Sequence, residues 1–427
     1  MTDAALLERR LANFRSTRSV VRPTVATPRI RGDHAERLAA ALDAEIVRAP
    51  RGTIVRRDCP SVAMPIDRRR LAGLPGLPPA DVPLVCLDTE TTGLATAAGT
   101  VAFLVGVGTW HGTSFRQVQL LLPEQPDEPA LLEALAALIP ADAWLVTYNG
   151  RGFDWPLLVA RYRMDRRPPP PLGGHLDLLP VVRRLFRHRM PNARLKTAEE
   201  HLLSVRRHAD VEGWEIPGRY LDFVRGGSAA RLVDVVRHNE LDVRSLAGLL
   251  DHLDRDLADP GRRRNAPGGD LVGLARLFRR ARRHDETLGC LAAVLAAWSS
   301  GPGGPSAGPD RPWSAERRRE RDRVIAERAR TLRRLGRHGD ALTAWRGLAA
   351  EGGPLSGIAV VEIAKALEHT WADPAGALDE VERGRLLTDR ARALGRPMPL
   401  LEADLTRRRT RLTERLARRR TVRPATG

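Results

Sequence analysis

The segment CLDTETTGL, at the end of an apolar run, contains two acidic residues whose spacing would place them on the same face of a strand. Asp88 and Glu90 are two residues apart, and alternate side chains of a strand project to the same face. Carboxylate oxygens that converge in this way are the ligands that Mg²⁺ and Mn²⁺ prefer. Acidic residues at strand ends are also common where they only contact water, so this pair alone leaves both interpretations open.

Two further groups of polar residues follow along the chain. Asp154 stands in YNGRGFDWPLL, after a strand and a glycine-bearing turn, at the start of a helix. It can serve a site there, or Asn149 and Asp154 can simply cap the helix. His238 and Asp242 are four residues apart in VRHNELDV, so a helix places them on one face. An imidazole beside a carboxylate can accept a proton next to a metal ligand; the alternative is an exposed helical pair.

The segments around these residues predict an α/β unit. The predicted strands are 84–90, 100–110, 114–123 and 143–149, and the predicted helices are 128–139 and 154–164. Glycines at positions 93, 99, 106, 108 and 112 would permit tight turns and the close approach of other elements. The order of three strands, a helix, a strand and a helix favours a core that begins with a meander over a doubly wound dinucleotide fold.

The order and spacing of the acidic groups resemble the DEDD superfamily of 3′-to-5′ exonucleases. DTETTGL is similar to the first exonuclease motif, NGRGFD to the second motif of family-B DNA polymerase proofreading domains, and HNELDV to the segment with the final aspartate. With AGTVAFLVGVG, these segments together resemble the YprB-like ribonuclease H-like proteins. The resemblance covers about residues 80–255 and implies a ribonuclease H-like mixed sheet with flanking helices.

The resemblance also implies a nuclease that hydrolyses phosphodiester bonds with two Mg²⁺ or Mn²⁺ ions. The implied metal ligands, which are also catalytic, are Asp88, Glu90, Asp154 and Asp242. His238 is the implied general base. The implied substrate is a single-stranded 3′ end of DNA or RNA, and the implied substrate-binding residues are Thr89, Tyr148, Asn149 and Phe153.

The last motif departs from the family pattern. The DEDD families carry Tyr-x3-Asp or His-x4-Asp, whereas this chain has His238-x3-Asp242. We still expect His238 to be the base, because an imidazole suits proton abstraction at neutral pH; the alternative is that it is no base at all. Asp177, in HLDLLPVV, is expected to support the site structurally. The candidates for contacts with substrate phosphates are Arg151, Arg163 and Lys196.

The remaining sequence predicts three further regions. Residues 1–80 are basic and interrupted by proline, which indicates an N-terminal extension and linker before the exonuclease domain over 81–257. Two segments that begin near Ala329 and Ala364, about 35 residues apart, predict a helical region similar to tetratricopeptide repeats over 268–405. An irregular helical bundle is the alternative. Residues 406–427 predict a basic helix or tail.

The sequence also predicts how the helices of this region pack and which of their residues are buried. Antiparallel helix pairs would place apolar residues inward and present a surface to a possible protein partner. The residues expected inward are Ala329, Leu332, Leu335, Ala341 and Leu342, with Ala364 and Leu367 in equivalent places.

Composition excludes some classes of protein. The 427-residue chain has a formal net charge of +18, from 70 basic and 52 acidic side chains, which favours binding to polyanions such as nucleic acid; a merely basic surface is the alternative. Three cysteines without a CxxC pair indicate neither a disulfide scaffold nor a zinc motif. No apolar run has the length of a membrane span. We therefore expect a cytoplasmic protein without membrane contact.

A second class of function is a catalytically silent nucleic-acid-binding or helical-repeat scaffold protein. The loss of one or more of the four carboxylates would favour that class. All four are present, so the sequence favours the active nuclease.

Overall fold

The computed structural model describes residues 33–93, 99–208, 210–300 and 314–421. Residues 1–32 of the predicted extension and the end of the predicted tail lie outside these ranges. Within them, one mixed sheet is flanked by helices, and a series of further helices follows. The predicted class, an α/β unit with a helical C-terminal part, is thus confirmed.

Seven strands among the described residues form one sheet with the order β1-β2-β5-β4-β3-β6-β7. The strands are β1 (Glu45–Ala49), β2 (Gly52–Ala63), β3 (Leu84–Thr91), β4 (Ala102–His111), β5 (Ser114–Leu121), β6 (Ala143–Thr147) and β7 (Leu172–Asp177). Pairing is antiparallel from β1 to β3 in this order and parallel from β3 through β6 to β7. The predicted meander is β3–β4–β5. Because β6 runs parallel to β3, the carboxyl ends of both strands meet at one edge of the sheet.

The N-terminal strands show that the predicted extension and linker over residues 1–80 is wrong for residues 45–63. β1 and β2 form a hairpin, and β2 pairs with β5 from Val55 opposite Leu121 to Ala63 opposite Ser114. Ile54 and Val55 are buried in the core. The other residues of the hairpin mix polar and apolar side chains, and most of them are at least partly exposed, as expected at a sheet edge. This mixture concealed the strands in the sequence.

Helices cover both faces of the sheet. They are α1 (Asp33–Leu42), α2 (Arg68–Ala72), α3 (Glu128–Leu138), α4 (Asp154–Met164), α5 (Leu178–Phe186), α6 (Leu195–Ala198), α7 (Ile216–Val224), α8 (Val233–His252) and α9 (Pro260–Arg263). Successive residues of β3 enter different cores: Val85 and Leu87 belong to one hydrophobic cluster, and Leu84 and Cys86 to another. The continuous apolar run therefore reflects a strand buried on both faces.

Seven helices among the described residues follow α9, and consecutive ones pack against each other. They are α10 (Gly268–Arg280), α11 (His284–Ser300), α12 (Ala315–Arg334), α13 (His338–Ala350), α14 (Ser356–His369), α15 (Pro374–Ala393) and α16 (Pro399–Thr421). Turns with a positive φ at Arg282, Gly336 and Ala372 close three helix hairpins. The residues expected inward are buried, with Leu335 half-buried, which confirms the helix pairs. The likeness to tetratricopeptide repeats stays a prediction.

Two predicted domain boundaries do not coincide with boundaries of the hydrophobic core. Leu271 and Phe278 of α10 share a cluster with Cys86 of β3, so the helical region begins packed on the α/β unit. α16 crosses the boundary predicted between 405 and 406, and Leu405 and Leu412 on either side are buried in one cluster. Of the helices that the structure describes, none has both the length and the apolar character needed to cross a membrane.

Close packing of α8 on the sheet depends on two glycines of β4. A Cβ atom at Gly106 would lie 2.3 Å from Asn239 Oδ1, and one at Gly108 would lie 2.9 Å from Val243 Cγ1. A Cβ atom cannot lie this close to another atom, so the absence of a side chain at Gly106 allows α8 to pack closely on the sheet. This confirms that the glycines permit the close approach of another element. Because Gly106 pairs with Asp88 of β3, the contact brings α8 beside the first carboxylate.

Gly106→Ala is expected to destabilise the protein by about 1–3 kcal/mol, because the added methyl group overlaps Asn239. Gly289→Ala is the matched control, since this glycine of α11 has no atom within 4 Å of an added Cβ. Alanine there stabilises the helix by up to about 1 kcal/mol. Thermal unfolding of the two variants should therefore shift in opposite directions; an unchanged melting temperature for Gly106→Ala would contradict the close packing.

Candidate active site

The first two carboxylates lie on β3, on the face covered by α8. Asp88 and Glu90 are half-buried, and they alternate with the buried side chains of Thr89 and Thr91. Asn239 of α8 donates from Nδ2 to Asp88 Oδ2 at 2.9 Å and to the Asp88 carbonyl at 3.2 Å. An amide of the helix therefore fixes the direction of the Asp88 carboxylate.

The amide of Asn239 is itself oriented from the sheet. Gln119 of β5 donates from Nε2 to Asn239 Oδ1 at 3.0 Å and to the carbonyl of Val236 at 2.7 Å. Arg57 of β2 donates to Gln119 Oε1 at 2.8 Å. Because the Gln119 nitrogen only donates, the oxygen of Asn239 faces it, and the nitrogen of Asn239 faces Asp88.

Asp154 is the first residue of α4, after the turn that follows β6. Asp177 holds this turn: its Oδ1 accepts the backbone N–H of Asn149 at 2.8 Å and that of Leu179 at 3.0 Å. Asn149 has a φ of 69° and does not cap α4, which starts after Phe153. The hydroxyl of Thr89 donates to Asp154, so a side chain of β3 holds the third carboxylate in place.

The third group lies on α8. His238 Nε2 is 3.7 Å from Asp242 Oδ2, as expected for residues one turn apart. The other ring nitrogen, Nδ1, is 2.7 Å from Asp210 Oδ1. Arg207 Nη1, which can only donate, also lies near Nδ1, but at the longer distance of 3.2 Å. The shorter contact with the Asp210 carboxylate favours the tautomer that carries its proton on Nδ1. That tautomer leaves Nε2 free to accept a proton beside Asp242.

A buried arginine connects the carboxylates at this end of the site. Arg207 donates to Asp242 Oδ1, to Asp210 Oδ2 at 3.2 Å, and through two nitrogens to Glu199, with Nε 2.7 Å from Oε2. The Arg207 side chain is 3% exposed and that of Glu199 0%. Burial alone would lower the pKa of Arg207, but the hydrogen bond with Glu199 and the charge of Asp242 raise it. The guanidinium is therefore a permanent positive charge.

Burial raises the pKa of all four predicted metal ligands. The pKa values of Asp88 and Glu90 lie well above their ordinary range, because the surrounding protein keeps water from their carboxylates and because Asp242 and Asp154 bring like charges near them. Burial raises the pKa of Asp154 to about 6. It also raises the pKa of Asp242, against the attraction of Arg207. The four carboxylates thus lie within electrostatic range of one another.

The donor set fits a divalent cation. In the part of the chain that the structure describes, no three Asp, Glu, His or Cys side chains are already arranged to hold a metal ion. The four carboxylates nevertheless offer only hard oxygen atoms, which suit Mg²⁺ or Mn²⁺. A cation among them would favour the charged form of all four and would offset the repulsion that, together with burial, raises the pKa values of Asp88 and Glu90. The residues that would hold it are Asp88, Glu90, Asp154 and Asp242.

The predicted substrate-binding residues differ in their surroundings. Thr89 is buried and bonded to Asp154. Tyr148 is half-buried and donates from its hydroxyl to the carbonyl of Ala193 at 2.8 Å. Phe153 is half-buried at the start of α4. The basic candidates are all exposed: Arg151, Arg163 and Lys196. Binding of substrate by these residues stays a prediction.

Sequence reasoning missed four residues of the site, which are Glu199, Arg207, Asp210 and Asn239. Asn239 stands in HNELDV, so the motif itself contained it. Arg207 is one side chain among 70 basic ones, and its neighbour Arg206 has the same identity but is exposed. Local sequence does not distinguish these two arginines; only the fold brings one of them to the carboxylates.

Comparison with known proteins identifies the class of this domain. Residues 85–254, which contain the four carboxylates and His238, match the RNase_H_2 family of the RNase H superfamily. The uncharacterized protein YprB of Bacillus subtilis (strain 168) is 38% identical over 176 residues, which are 41% of this chain and 42% of YprB. The match thus spans less than half the length of that relative. Residues 85–254 form an RNase H-like domain, which indicates a nucleic-acid-processing hydrolase.

Asp154→Asn is expected to stabilise the metal-free protein at about pH 7.5 and to lose this advantage near pH 4.5. The folded-state pKa of about 6 exceeds the ordinary value of 3.8. Between these values the folded protein binds more protons than the unfolded chain, so stability falls as the pH rises. Above this window the charged side chain costs about 1–3 kcal/mol, which the neutral amide avoids. Melting temperatures in EDTA across this pH range measure the difference.

Asp58→Asn is the matched control for this pH dependence. The hydrogen bond from Arg56 lowers the pKa of the exposed Asp58 carboxyl below its ordinary value of 3.8. Asp58 is therefore charged in the folded and the unfolded chain across this pH range, so the effect of Asp58→Asn should stay nearly constant. An Asp154→Asn effect that stays constant with pH would contradict the raised pKa of Asp154.

Proposed function

We propose that the chain is a metal-dependent 3′-to-5′ exonuclease, which hydrolyses phosphodiester bonds of nucleic acid with two Mg²⁺ or Mn²⁺ ions. The observation that carries this proposal is the group of four carboxylates with raised pKa values, at the meeting point of β3, α4 and α8. Carboxylates with perturbed pKa values cluster at functional sites, because catalysis needs such groups close together although their repulsion destabilises the fold. In an RNase H-like domain, a divalent cation and a phosphodiester are the ligands that use such a group.

The proposed mechanism assigns separate tasks to the carboxylates and the histidine. When bound, the metal ions would polarise the attacking water and neutralise charge on the leaving 3′ oxygen. His238 would take the proton of that water, because its Nε2 atom faces Asp242 and has no proton in the favoured tautomer. Asp210 would keep the ring in this orientation through Nδ1. The residues that would hold the ions are Asp88, Glu90, Asp154 and Asp242.

The proposed substrate is the 3′ end of a single strand of DNA or RNA. The proposed 3′-to-5′ direction of cleavage follows from the resemblance to the DEDD exonucleases. The proposed contacts with the terminal nucleotides come from Thr89, Tyr148, Asn149 and Phe153, of which the two aromatic rings are suited to stacking on bases. The formal net charge of +18 supports a polyanionic partner.

The purified chain is expected to shorten a 5′-labelled single strand stepwise when Mg²⁺ or Mn²⁺ is present, and to stop when EDTA is added. Asp88→Ala and Asp242→Ala should each lose more than ~100-fold in rate, because changes outside the ligand set already cost that much. The control is Asp58→Asn, an exposed carboxylate of β2 that pairs with Arg56; it should cleave at the normal rate.

A closed circular strand of the same sequence separates the possible outcomes of this assay. An exonuclease leaves the circle intact, so cutting of the circle would contradict the proposed exonuclease and indicate an endonuclease. Binding of both strands without cleavage in either metal would contradict the proposed enzyme and favour the silent nucleic-acid-binding protein.

His238→Ala should lower kcat by about 10²–10⁴-fold, the usual loss on removal of a general base. Asp210→Asn should lower kcat by roughly 10–100-fold. The His238 ring keeps Nε2 as its proton acceptor, but it loses the carboxylate that orients it through Nδ1. Neither variant removes a proposed metal ligand, so the Mn²⁺ affinity and KM should stay near the wild-type values. Normal turnover by His238→Ala would show that the proton goes elsewhere.

A further inference from the structure

Arg207 lies in the segment between α6 and α7, and its guanidinium ends among three carboxylates. Glu199 takes two of its nitrogens, with Nε 2.7 Å from Oε2, and Asp210 takes a third contact at 3.2 Å. Two further contacts are with Asp242 Oδ1 and with His238 Nδ1, the latter at 3.2 Å. Asp242 is a proposed metal ligand, so this side chain brings a positive charge to the place where a cation is expected.

The burial of Arg207 shows that it is fixed in this position. Its side chain is 3% exposed and Glu199 is 0% exposed, and a two-point contact between guanidinium and carboxylate is geometrically specific. Withdrawal of the arginine would leave the Glu199 charge buried and unpaired, which is strongly unfavourable. The contact with Asp242 therefore comes from a fixed side chain, which a metal ion does not easily displace.

We propose that Arg207 is the resident counter-ion of the carboxylate group, and that a divalent cation bound to Asp242 shares this carboxylate with it. Oδ1 of Asp242 is taken by Arg207, whereas Oδ2 faces His238 Nε2 at 3.7 Å and remains available. The second part of the proposal rests on the proposed function, because it requires that a cation binds. The first part concerns the metal-free protein and stands independently of it.

Two consequences follow from a fixed charge at this position. Without metal, the positive charge of Arg207 offsets the repulsion between Asp242 and the two carboxylates of β3. Burial and this repulsion raise the pKa values of the two β3 carboxylates. With metal, its charge repels the incoming cation and its hydrogen bond occupies one of two oxygens. The cation at Asp242 should therefore bind more weakly than it would without Arg207. Removal of the arginine should weaken the metal-free fold and strengthen metal binding at the same time.

Thermal unfolding in EDTA tests the counter-ion. Arg207→Met should lower the melting temperature by roughly 5–10 °C, as expected when buried charges lose their partner. Arg206→Met is the matched control, because this neighbouring arginine is exposed, and it should unfold near the wild-type temperature. The loss caused by Arg207→Met should shrink when Asp242→Asn is also present, since the coupled charge is gone. Equal losses in both backgrounds would overturn the counter-ion, because Arg207 would then act on Glu199 alone.

Titration with Mn²⁺, followed by the electron paramagnetic resonance of the free ion, tests the shared carboxylate. Arg207→Met should bind Mn²⁺ several-fold more tightly than wild type, and Mn²⁺ should restore more of its melting temperature. Weaker binding would overturn the proposal and make Arg207 a residue that positions Asp242 for the metal. If Arg207→Met does not fold, Arg207→Lys keeps a charge that cannot reach both Glu199 and Asp242, and it should show the same direction of change.

The two experiments separate this proposal from the proposed function. If neither wild type nor Arg207→Met binds Mn²⁺, the metal-dependent nuclease and the shared carboxylate both fail. The coupling between Arg207 and Asp242 in EDTA would still decide whether the arginine is the counter-ion. Tight Mn²⁺ binding by wild type with no gain in Arg207→Met would instead support the metal site and overturn the shared carboxylate.

Discussion

Repulsion among four carboxylates in a largely buried site is the constraint on which the rest of this domain depends. Burial removes water that would otherwise screen these charges, and the pKa of each carboxyl is raised as a result. A fold that keeps such groups together needs partners for them from several directions. The partners in this structure are Asn239 for Asp88, Thr89 for Asp154, and Arg207 for Asp242.

The partner of Asp88 shows how far this support extends into the fold. Asn239 is oriented by Gln119 of β5, which is in turn held by Arg57 of β2. The same Arg57 nitrogen also donates to Glu240 of α8 at 2.8 Å. The N-terminal hairpin therefore connects to the first carboxylate through a chain of buried side chains. A segment that looks like a linker in the sequence is part of the framework of the site.

The sequence predicts the features that local patterns determine. Apolar runs identified the strands 84–91 and 143–147 closely, and the helix over 154–164 agrees with its observed bounds. β7 was missed because LGGHLD is short and contains two glycines, so neither length nor alternation marks it as a strand. The edge hairpin was missed because its mixture of polar and apolar residues hides the alternation. The tertiary partners of the carboxylates have no local pattern at all, since Arg207 and Asp242 meet only through the fold.

The helical region supports the site from the face of the sheet that α8 also covers, because residues of α8, α10 and β3 share one hydrophobic cluster. At Gly273 of α10, an added Cβ would lie 2.7 Å from the backbone oxygen of Arg184 in α5, so the two helices are in close contact. The buried carboxylate of Asp270 also accepts from Arg189 at 2.9 Å. Asp177 caps the start of α5, and the same residue holds the turn before Asp154.

Through these contacts, the helix hairpin of α10 and α11 helps to hold the second acidic motif, which contains Asp154. The apolar residues of α10 fill the same core as β3, so they shield the strand that carries the first two carboxylates. A helix that both completes this core and packs on α5 cannot be treated as a separate module. The RNase H-like domain of this chain is therefore structurally complete only together with the start of its helical region.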